Sequence, residues 1–442
     1  MIAELRALAS PRHIVRIAPE LDVPLTARVT RLLDTTPLRR LSRLSQLGLV
    51  SLVYPGATHS RLEHSLGVYR CALQFLQHFA ADERFHRHVD DAAEQTFVLA
   101  ALLHDVGHWP FCHPIEDMRL PHLPRHETLA RQWIENSEIA QCISQQWTSI
   151  DAVCGLLAGP HETPTMRLLA SLLSGPIDID KLDYLRRDSL HAGVPYGQNF
   201  DSNRLISALQ VHPQHPRLAI GDKGRTAAEM LVFSRYIMFS EVYWHHAVRS
   251  ATAMLQRAVY LLHAELDLVA MMQLDDHHWI ARLCDVARST SAEALTTGLF
   301  GQQRVLWKRV AEFDQLRHPE LHRLIARRPY PWLVACSKIL AEELTRSLGI
   351  SLGAADVIID APPVKLEVDI NIDVVTNSEQ ICPLGDISPV VDALANRQFD
   401  DVVKRVRVFV RPDVRQRLPA GSLPPAWLER AVQQTKQNAW TQ

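Results

Sequence analysis

No stretch of this 442-residue chain approaches the ~20 consecutive apolar residues that a membrane span needs. The start, Met1-Ile2-Ala3-Glu4-Leu5-Arg6, lacks the long apolar core of a signal peptide, so a soluble, cytoplasmic protein with no membrane partner is expected. The seven cysteines, Cys71, Cys112, Cys142, Cys154, Cys284, Cys336 and Cys382, are odd in number and contain no CxxC spacing. That speaks against a disulfide framework or a zinc knuckle and for a reducing compartment. Charge of one sign is lacking too: the net charge of -2 argues against holding nucleic acid or anionic membrane by bulk electrostatics. One local basic run, Lys404, Arg405, Arg407, Arg411, Arg415 and Arg417, reads first as a solvated strand face and second as a regulatory nucleotide or nucleic-acid patch. Internal repeats and low-complexity tracts are absent, and the length allows two or three units with a large core.

Apolar positions recurring at three and four over long windows, with few glycines, make most of the first 350 residues helical. Ser60 with Glu63 three later is a capping-box signal, and Leu62, Leu66, Tyr69, Leu73 and Leu76 follow as an apolar stripe. Thr96 to Leu103 reads as a buried helix ended by Gly107 and Pro110. The segment from His113 to His126, with Pro114, Pro121 and Pro124, reads as an irregular excursion. Ile177 to His191 reads as a helix stopped by Gly193 and Pro195, with Asp180, Tyr184 and Asp188 on one face and Lys181 at its edge. Beyond Arg328-Pro329-Tyr330-Pro331, alternation through Leu366, Val368, Ile370, Ile372 and Val374, and through Val406, Val408 and Val410, predicts strands. The fold class is therefore mainly α, closed by a small α/β subdomain.

His104-Asp105 stands at the end of an apolar segment, where a carboxylate must be paired or coordinated. His64 upstream and Asp180 downstream complete a set of two histidines and two aspartates that can hold a first-row divalent metal with positions open for water and substrate. Asp178 and Asp183 read as capping or solvated acids, and His59 and His122 as loop surface.

Three phrases carry a resemblance. They are Tyr54-Pro55-Gly56-Ala57-Thr58-His59-Ser60-Arg61-Leu62-Glu63-His64-Ser65-Leu66-Gly67-Val68, then His104-Asp105-Val106-Gly107-His108-Trp109-Pro110-Phe111-Cys112-His113, then Ile177-Asp178-Ile179-Asp180-Lys181-Leu182-Asp183-Tyr184-Leu185-Arg186-Arg187-Asp188. In this order they resemble the dNTP triphosphohydrolases of the HD-domain phosphohydrolase superfamily, from about Leu33 to Tyr243. The resemblance implies a helical HD core within a chain of four segments: 1–50 N-terminal helical and regulatory, 51–200 the metal-dependent HD core, 201–345 a helical extension completing the nucleotide pocket, and 346–442 the C-terminal α/β subdomain.

It also implies roles. His64, His104, Asp105 and Asp180 hold manganese, iron, cobalt or zinc, with magnesium joining the phosphates. Arg61, Lys181, Tyr184 and Arg235 contact the triphosphate, which suits bidentate guanidinium and point-charge ammonium groups. Gln46, Leu47 and Asp188 select the deoxyribose, and Tyr243 lines the sugar and base. His108, His113, Glu116 and His126 form the catalytic set: attack of water on the α-phosphorus releases triphosphate from the deoxynucleoside, with His126 the proton donor to the leaving oxygen.

An activating nucleotide and a homo-oligomer are further implied. Asp34 matches a guanine-reading acid of the activator pocket, but Arg39, Ser42 and Gly221 depart from its remaining positions, which speaks against activation in the mammalian manner. Two competing functions stay open: a phosphomonoesterase or phosphodiesterase on another nucleotide, and a nucleotide-sensing or nucleic-acid-binding module. In the principal reading, hydrolysis of dNTPs serves pool control or defence against phage.

Overall fold

The computed structural model describes residues 1–439 apart from 11, 20, 363–371 and 395–402. The described residues are mainly helical, with a strand-containing C-terminal region. The chain divides into two compact units: Met1–Pro110, Pro124–Met238 and Val368–Ala395 form the first, and Phe111–Leu123, Phe239–Glu367 and Asn396–Gln442 the second.

The principal helices of the first unit are α1 (Arg61–Phe79), α2 (Asp91–Leu103), α3 (His126–Glu135), α4 (Ile179–Ala192) and α5 (Arg225–Met238); α6 (His246–Leu262) and α7 (Tyr330–Leu348) belong to the second. Nine strands are present among the described residues: β1 (Ile14–Ile17), β2 (Leu21–Pro24), β3 (Leu209–Val211), β4 (Leu218–Gly221), β5 (Lys308–Phe313), β6 (Val357–Asp360), β7 (Asp373–Val375), β8 (Ile381–Pro383) and β9 (Val406–Val410).

Helix α1 starts where expected, with the Ser60 hydroxyl accepting from the Glu63 N–H at 3.3 Å. The box is only half closed, because the Glu63 carboxylate serves Arg187 and His191 instead. Leu66, Tyr69, Leu73 and Leu76 are buried, but so is every residue from 64 to 69. Two buried surroundings, an apolar core and a polar site, enclose this part of α1, so one stripe understates its burial.

Helix α2 begins five residues before the expected apolar stretch, since the Asp90 carboxylate caps the Ala93 N–H at 2.8 Å. It packs on α1, and every residue from 96 to 103 is buried. Each fully buried leucine or phenylalanine here contributes roughly 1.5–3 kcal/mol. The helix ends at the His104-Asp105 pair, so its C-terminal dipole favours a cation there.

The excursion from His113 to His126 is less irregular than expected. Cys112–Asp117 is a short helix, with Pro114 in the first turn where its missing N–H costs nothing, and His126 opens α3. Phe111, Arg119 and His122 nevertheless hold left-handed backbone, with φ of 56°, 52° and 63°.

The C-terminal strands find partners from earlier in the chain. In the first unit β7 pairs in parallel with β4 and antiparallel with β8, giving the order β3-β4-β7-β8. In the second unit β9 lies between β5 and β6, antiparallel to both. Leu366, Val368 and Ile370 lie outside the described residues.

Strand β9 has period-two sequence, yet all five of its residues are buried. Of the basic run, Arg415 and Arg417 are exposed as expected, but the residues on and beside β9 do not form a solvated face. Arg407 is buried with its Nε donating to Glu312 at 2.8 Å, Arg405 donates to the same carboxylate at 2.6 Å, and Arg411 pairs with Asp356 and Asp413.

Candidate active site

Four side chains from three helix ends converge in the first unit. His64 projects from the first turns of α1, His104 and Asp105 follow the last turn of α2, and Asp180 lies in the first turn of α4. The Nε2 atoms of His64 and His104 are 3.1 Å apart. Asp180 Oδ1 is 3.1 Å from His64 Nε2 and 3.9 Å from His104 Nε2, and Asp105 Oδ1 is 3.4 Å from His104 Nε2.

The outer nitrogens decide the tautomers. His104 Nδ1 faces the Ala101 carbonyl at 2.9 Å, which can only accept, and His64 Nδ1 faces the Asp183 carboxylate at 2.9 Å. Both rings thus carry hydrogen on Nδ1, and in the neutral form turn lone pairs towards each other and towards two carboxylate oxygens. Such an assembly of acceptors demands a cation or a proton. Without metal, burial opposes charge on His64, but the Asp180 and Asp183 hydrogen bonds and the Asp105 charge outweigh it and lift the ring to about 10.

The donor set fits a divalent metal. Metal–nitrogen and metal–oxygen bonds of ~2.0–2.2 Å imply ligand–ligand edges of roughly 3.0–3.5 Å, close to most of the separations found here. Imidazole with carboxylate suits manganese, iron, cobalt or zinc.

The residues behind the ligands are as closely paired as the ligands themselves. Asp105 is buried; burial alone would raise its pKa, but His108, His104, Arg61 and His64 hold it well below the usual carboxylate range. Arg61 Nη1 donates to Asp105 Oδ2 at 2.9 Å, so the arginine assigned to phosphate also steadies a metal-site carboxylate.

Asp183 is no solvated acid: it is buried, accepts from His64, and takes a two-pronged hydrogen bond from Arg187 at 2.7 and 2.8 Å. Burial would raise its pKa, but Arg187 and His64 bring it to about 2. Gly67 makes room for this pair, since a Cβ at 67 would lie 1.9 Å from Asp183 Oδ1 and 2.4 Å from Arg187 Nη2. Asp178 caps α4, as expected, accepting from the Lys181 N–H at 2.7 Å.

The cations assigned to phosphate lie beside this set. Lys181 Nζ donates to Asp178 at 2.6 Å and to the Gly175 carbonyl at 3.0 Å. Burial opposes its charge, but Asp178, Tyr184 and Asp180 outweigh that and hold its pKa above the ordinary value. Burial lifts the Tyr184 phenol, while the charges of Arg235 and Lys181 pull it down. Lys181, Tyr184 and Arg235 are therefore one electrostatic group at the α4 and α5 walls.

His108 Nδ1 is 3.1 Å from Asp105 Oδ1, and its ring lies 4.1 Å from that of His126. Gly107 permits that approach: a Cβ there would meet the His126 carbonyl at 2.1 Å and the Ala130 nitrogen at 2.6 Å. Asp188 is buried and bonded to His59 at 2.9 Å; Gln46 and Leu47 are half-buried on the loop before the Gly48–Leu52 turn.

The other three assigned residues belong to the second unit. His113 is exposed and Glu116 half-buried in the Cys112–Asp117 helix, and Tyr243 is half-buried with its ring edge-on to Phe239 at 5.0 Å. Asp34, Arg39 and Ser42 are exposed in the first unit.

The sequence suggested loop surface for His59, a helix cap for Glu63 and a capping or solvated acid for Asp183, and gave Arg187 and His191 no role; the structure pairs all five around α1 and α4. The i,i+4 spacing of Asp183 and Arg187 was a signal; the burial that makes it consequential was not visible.

These features define a helical His/Asp centre able to hold a divalent metal beside a cluster of cations. The HD domain family model matches residues 61–188, and that of the HD-associated region matches 200–423. The chain belongs to the HD-domain family whose members carry this associated region.

YwfO of Bacillus subtilis, an uncharacterized protein, is 34% identical over 233 residues, covering 52% of this chain and 51% of its own. The human deoxynucleoside triphosphate triphosphohydrolase SAMHD1 is 30% identical over 213 residues, covering 41% and 33%. The crystal structure of a phosphohydrolase from Bacteroides thetaiotaomicron aligns with a TM-score of 0.69 and 25% identity, over 90% of this chain and 100% of that one. The chain spans about half the length of the first curated relatives it matches. No helix among the described residues is long and apolar enough to cross a membrane.

Proposed function

We propose that this protein is a divalent-metal-dependent dNTP triphosphohydrolase that converts a deoxynucleoside triphosphate and water to the deoxynucleoside and inorganic triphosphate. The observation that carries the reading is the convergence of His64, His104, Asp105 and Asp180 beside the Lys181, Tyr184 and Arg235 group in one unit. Its kinship with SAMHD1 supports the choice of substrate.

A metal held by these four residues would supply Lewis-acid polarisation of the α-phosphate and an activated water. Lys181, Arg235 and Arg61 balance the charge of the triphosphate, and Tyr184 adds a hydroxyl donor. The new bond joins water oxygen to the α-phosphorus, and the bond from that phosphorus to the 5'-oxygen breaks. His126, beside His108, gives the proton that the leaving 5'-oxygen takes up. In the same reading Gln46, Leu47 and Asp188, all in the first unit, read the sugar.

The test is ion-exchange analysis of products from each dNTP and rNTP singly and from the four dNTPs mixed, with Mn²⁺ and Mg²⁺. Deoxynucleoside plus triphosphate is the expected outcome, abolished by chelation. Turnover only in the mixture would mark an activating nucleotide, and particle mass with and without nucleotide tests the homo-oligomer. Intact dNTPs throughout would overturn the reading and turn attention to nucleoside monophosphates and cyclic nucleotides.

A further inference from the structure

His59 precedes the ligand-bearing helix α1 by two residues, yet its side chain is fully enclosed, with 0% exposure. Its Nε2 lies 2.9 Å from Asp188 Oδ1, so the ring donates to a carboxylate that is itself 3% exposed. The ring also stacks on His191, with centroids 4.3 Å apart and planes at 17°. The main chain of His59 contributes as well, because its carbonyl accepts the Gln46 N–H at 3.0 Å. A bridge between Ser45 and Ser60 and the Arg61 N–H on the Leu44 carbonyl at 2.9 Å extend that seam. One residue therefore holds Gln46 through its backbone and Asp188 through its ring.

Both sides of this junction keep unused capacity. Gln46 Oε1 and His59 Nδ1 are buried without a hydrogen-bond partner among the described residues. A buried polar atom left unpaired is costly, and such atoms collect where a water or ligand belongs. None of these groups is a metal-site residue.

We propose that His59 is a positioning residue for 3'-hydroxyl recognition: it fixes the Asp188 carboxylate and the Gln46 loop in the register that reads the deoxyribose. The inference rests on the dNTP reading above. His59 acts through Asp188 and Gln46 and touches no reacting atom.

The test compares kcat and KM of the full chain, His59→Ala and His59→Gln on one dNTP and on the matching 2',3'-dideoxynucleoside triphosphate, with metal content and thermal unfolding recorded for each. The native protein is expected to prefer the 3'-hydroxyl by about ten- to a hundredfold in kcat/KM, the range of a hydrogen bond to a charged group. His59→Ala loses that factor on the dNTP and is unchanged on the dideoxy substrate, while His59→Gln, which keeps an N–H donor within reach of Asp188, retains the preference. Equal losses on both substrates, or full preference in His59→Ala, would overturn the proposal and leave His59 as a structural tie. Should His59→Ala not fold, loss of the preference in a folded, metal-loaded His59→Gln overturns it as well. Absence of native dNTP turnover would sink the functional reading and the inference together, before any variant is compared.

Discussion

Removing Asp183 tests whether the metal centre depends on groups behind its ligands. Asp183→Ala takes away the acceptor that sets the His64 tautomer at 2.9 Å and deprives Arg187 of a two-pronged partner. Losing the partner of a ligand histidine lowers metal affinity by about 10–100-fold. Breaking a buried ion pair costs roughly 3–5 kcal/mol of stability. The low end applies here, because Arg187 keeps Glu63 and the Ala18 carbonyl, both at 2.7 Å.

Asp183→Asn separates the two effects. Its amide oxygen still accepts from His64, so metal affinity should fall less than in Asp183→Ala, while Arg187 loses its countercharge in both. Gly67→Ala perturbs the same carboxylate sterically, through a Cβ built 1.9 Å from Asp183 Oδ1, and should weaken metal binding without altering any ligand. The assay is metal titration of the apo-protein, read by mass spectrometry of bound ion, beside chemical denaturation. Native metal affinity in both Asp183→Ala and Gly67→Ala would refute the claim that Asp183 orients His64.

Asp105→Asn and His104→Ala should each leave the protein folded with sub-stoichiometric metal and no turnover, checked by metal analysis and product release. Gly107→Ala should cost at least ~1–3 kcal/mol by overpacking, because the new Cβ meets the backbone of His126 and Ala130; unfolding curves and turnover should fall together. In the second unit Glu312 faces Arg309, Arg405 and Arg407. Burial would raise its pKa, but these arginines bring it to about 2. A depressed carboxyl contributes stability above its unfolded pKa of ~4.3 and loses it as pH falls towards 2, on the order of 3 kcal/mol in all. Glu312→Gln should therefore flatten the acid limb of stability against pH between about pH 4.5 and 2, measured by denaturation at each pH.

The ends of the site helices were legible because local chemistry determines them. Ser60 and Asp178 cap α1 and α4 where their side chains can reach N–H groups three residues on, and α4 stops before Gly193 and Pro195. The start of α2 was misjudged because the expectation followed apolar residues and passed over the cap at Asp90. The burial of β9 was also hidden: alternation of valine with arginine signals one wet face, but Glu312 accepts from both Arg405 and Arg407, and all five β9 residues are buried.

Residue type and spacing by themselves determined that two histidines and two aspartates stand at helix ends, since caps, apolar runs and i,i+4 faces are properties of neighbours in the chain. Only tertiary structure decided which acids serve those ligands. Asp183 and His59 look like surface residues in one dimension; they become buried partners of His64 and Asp188, 119 and 129 residues away, because α4 packs on α1 where Gly67 leaves space. Burial is a sum over distant segments, and burial turns an ordinary carboxylate into one that must have a partner.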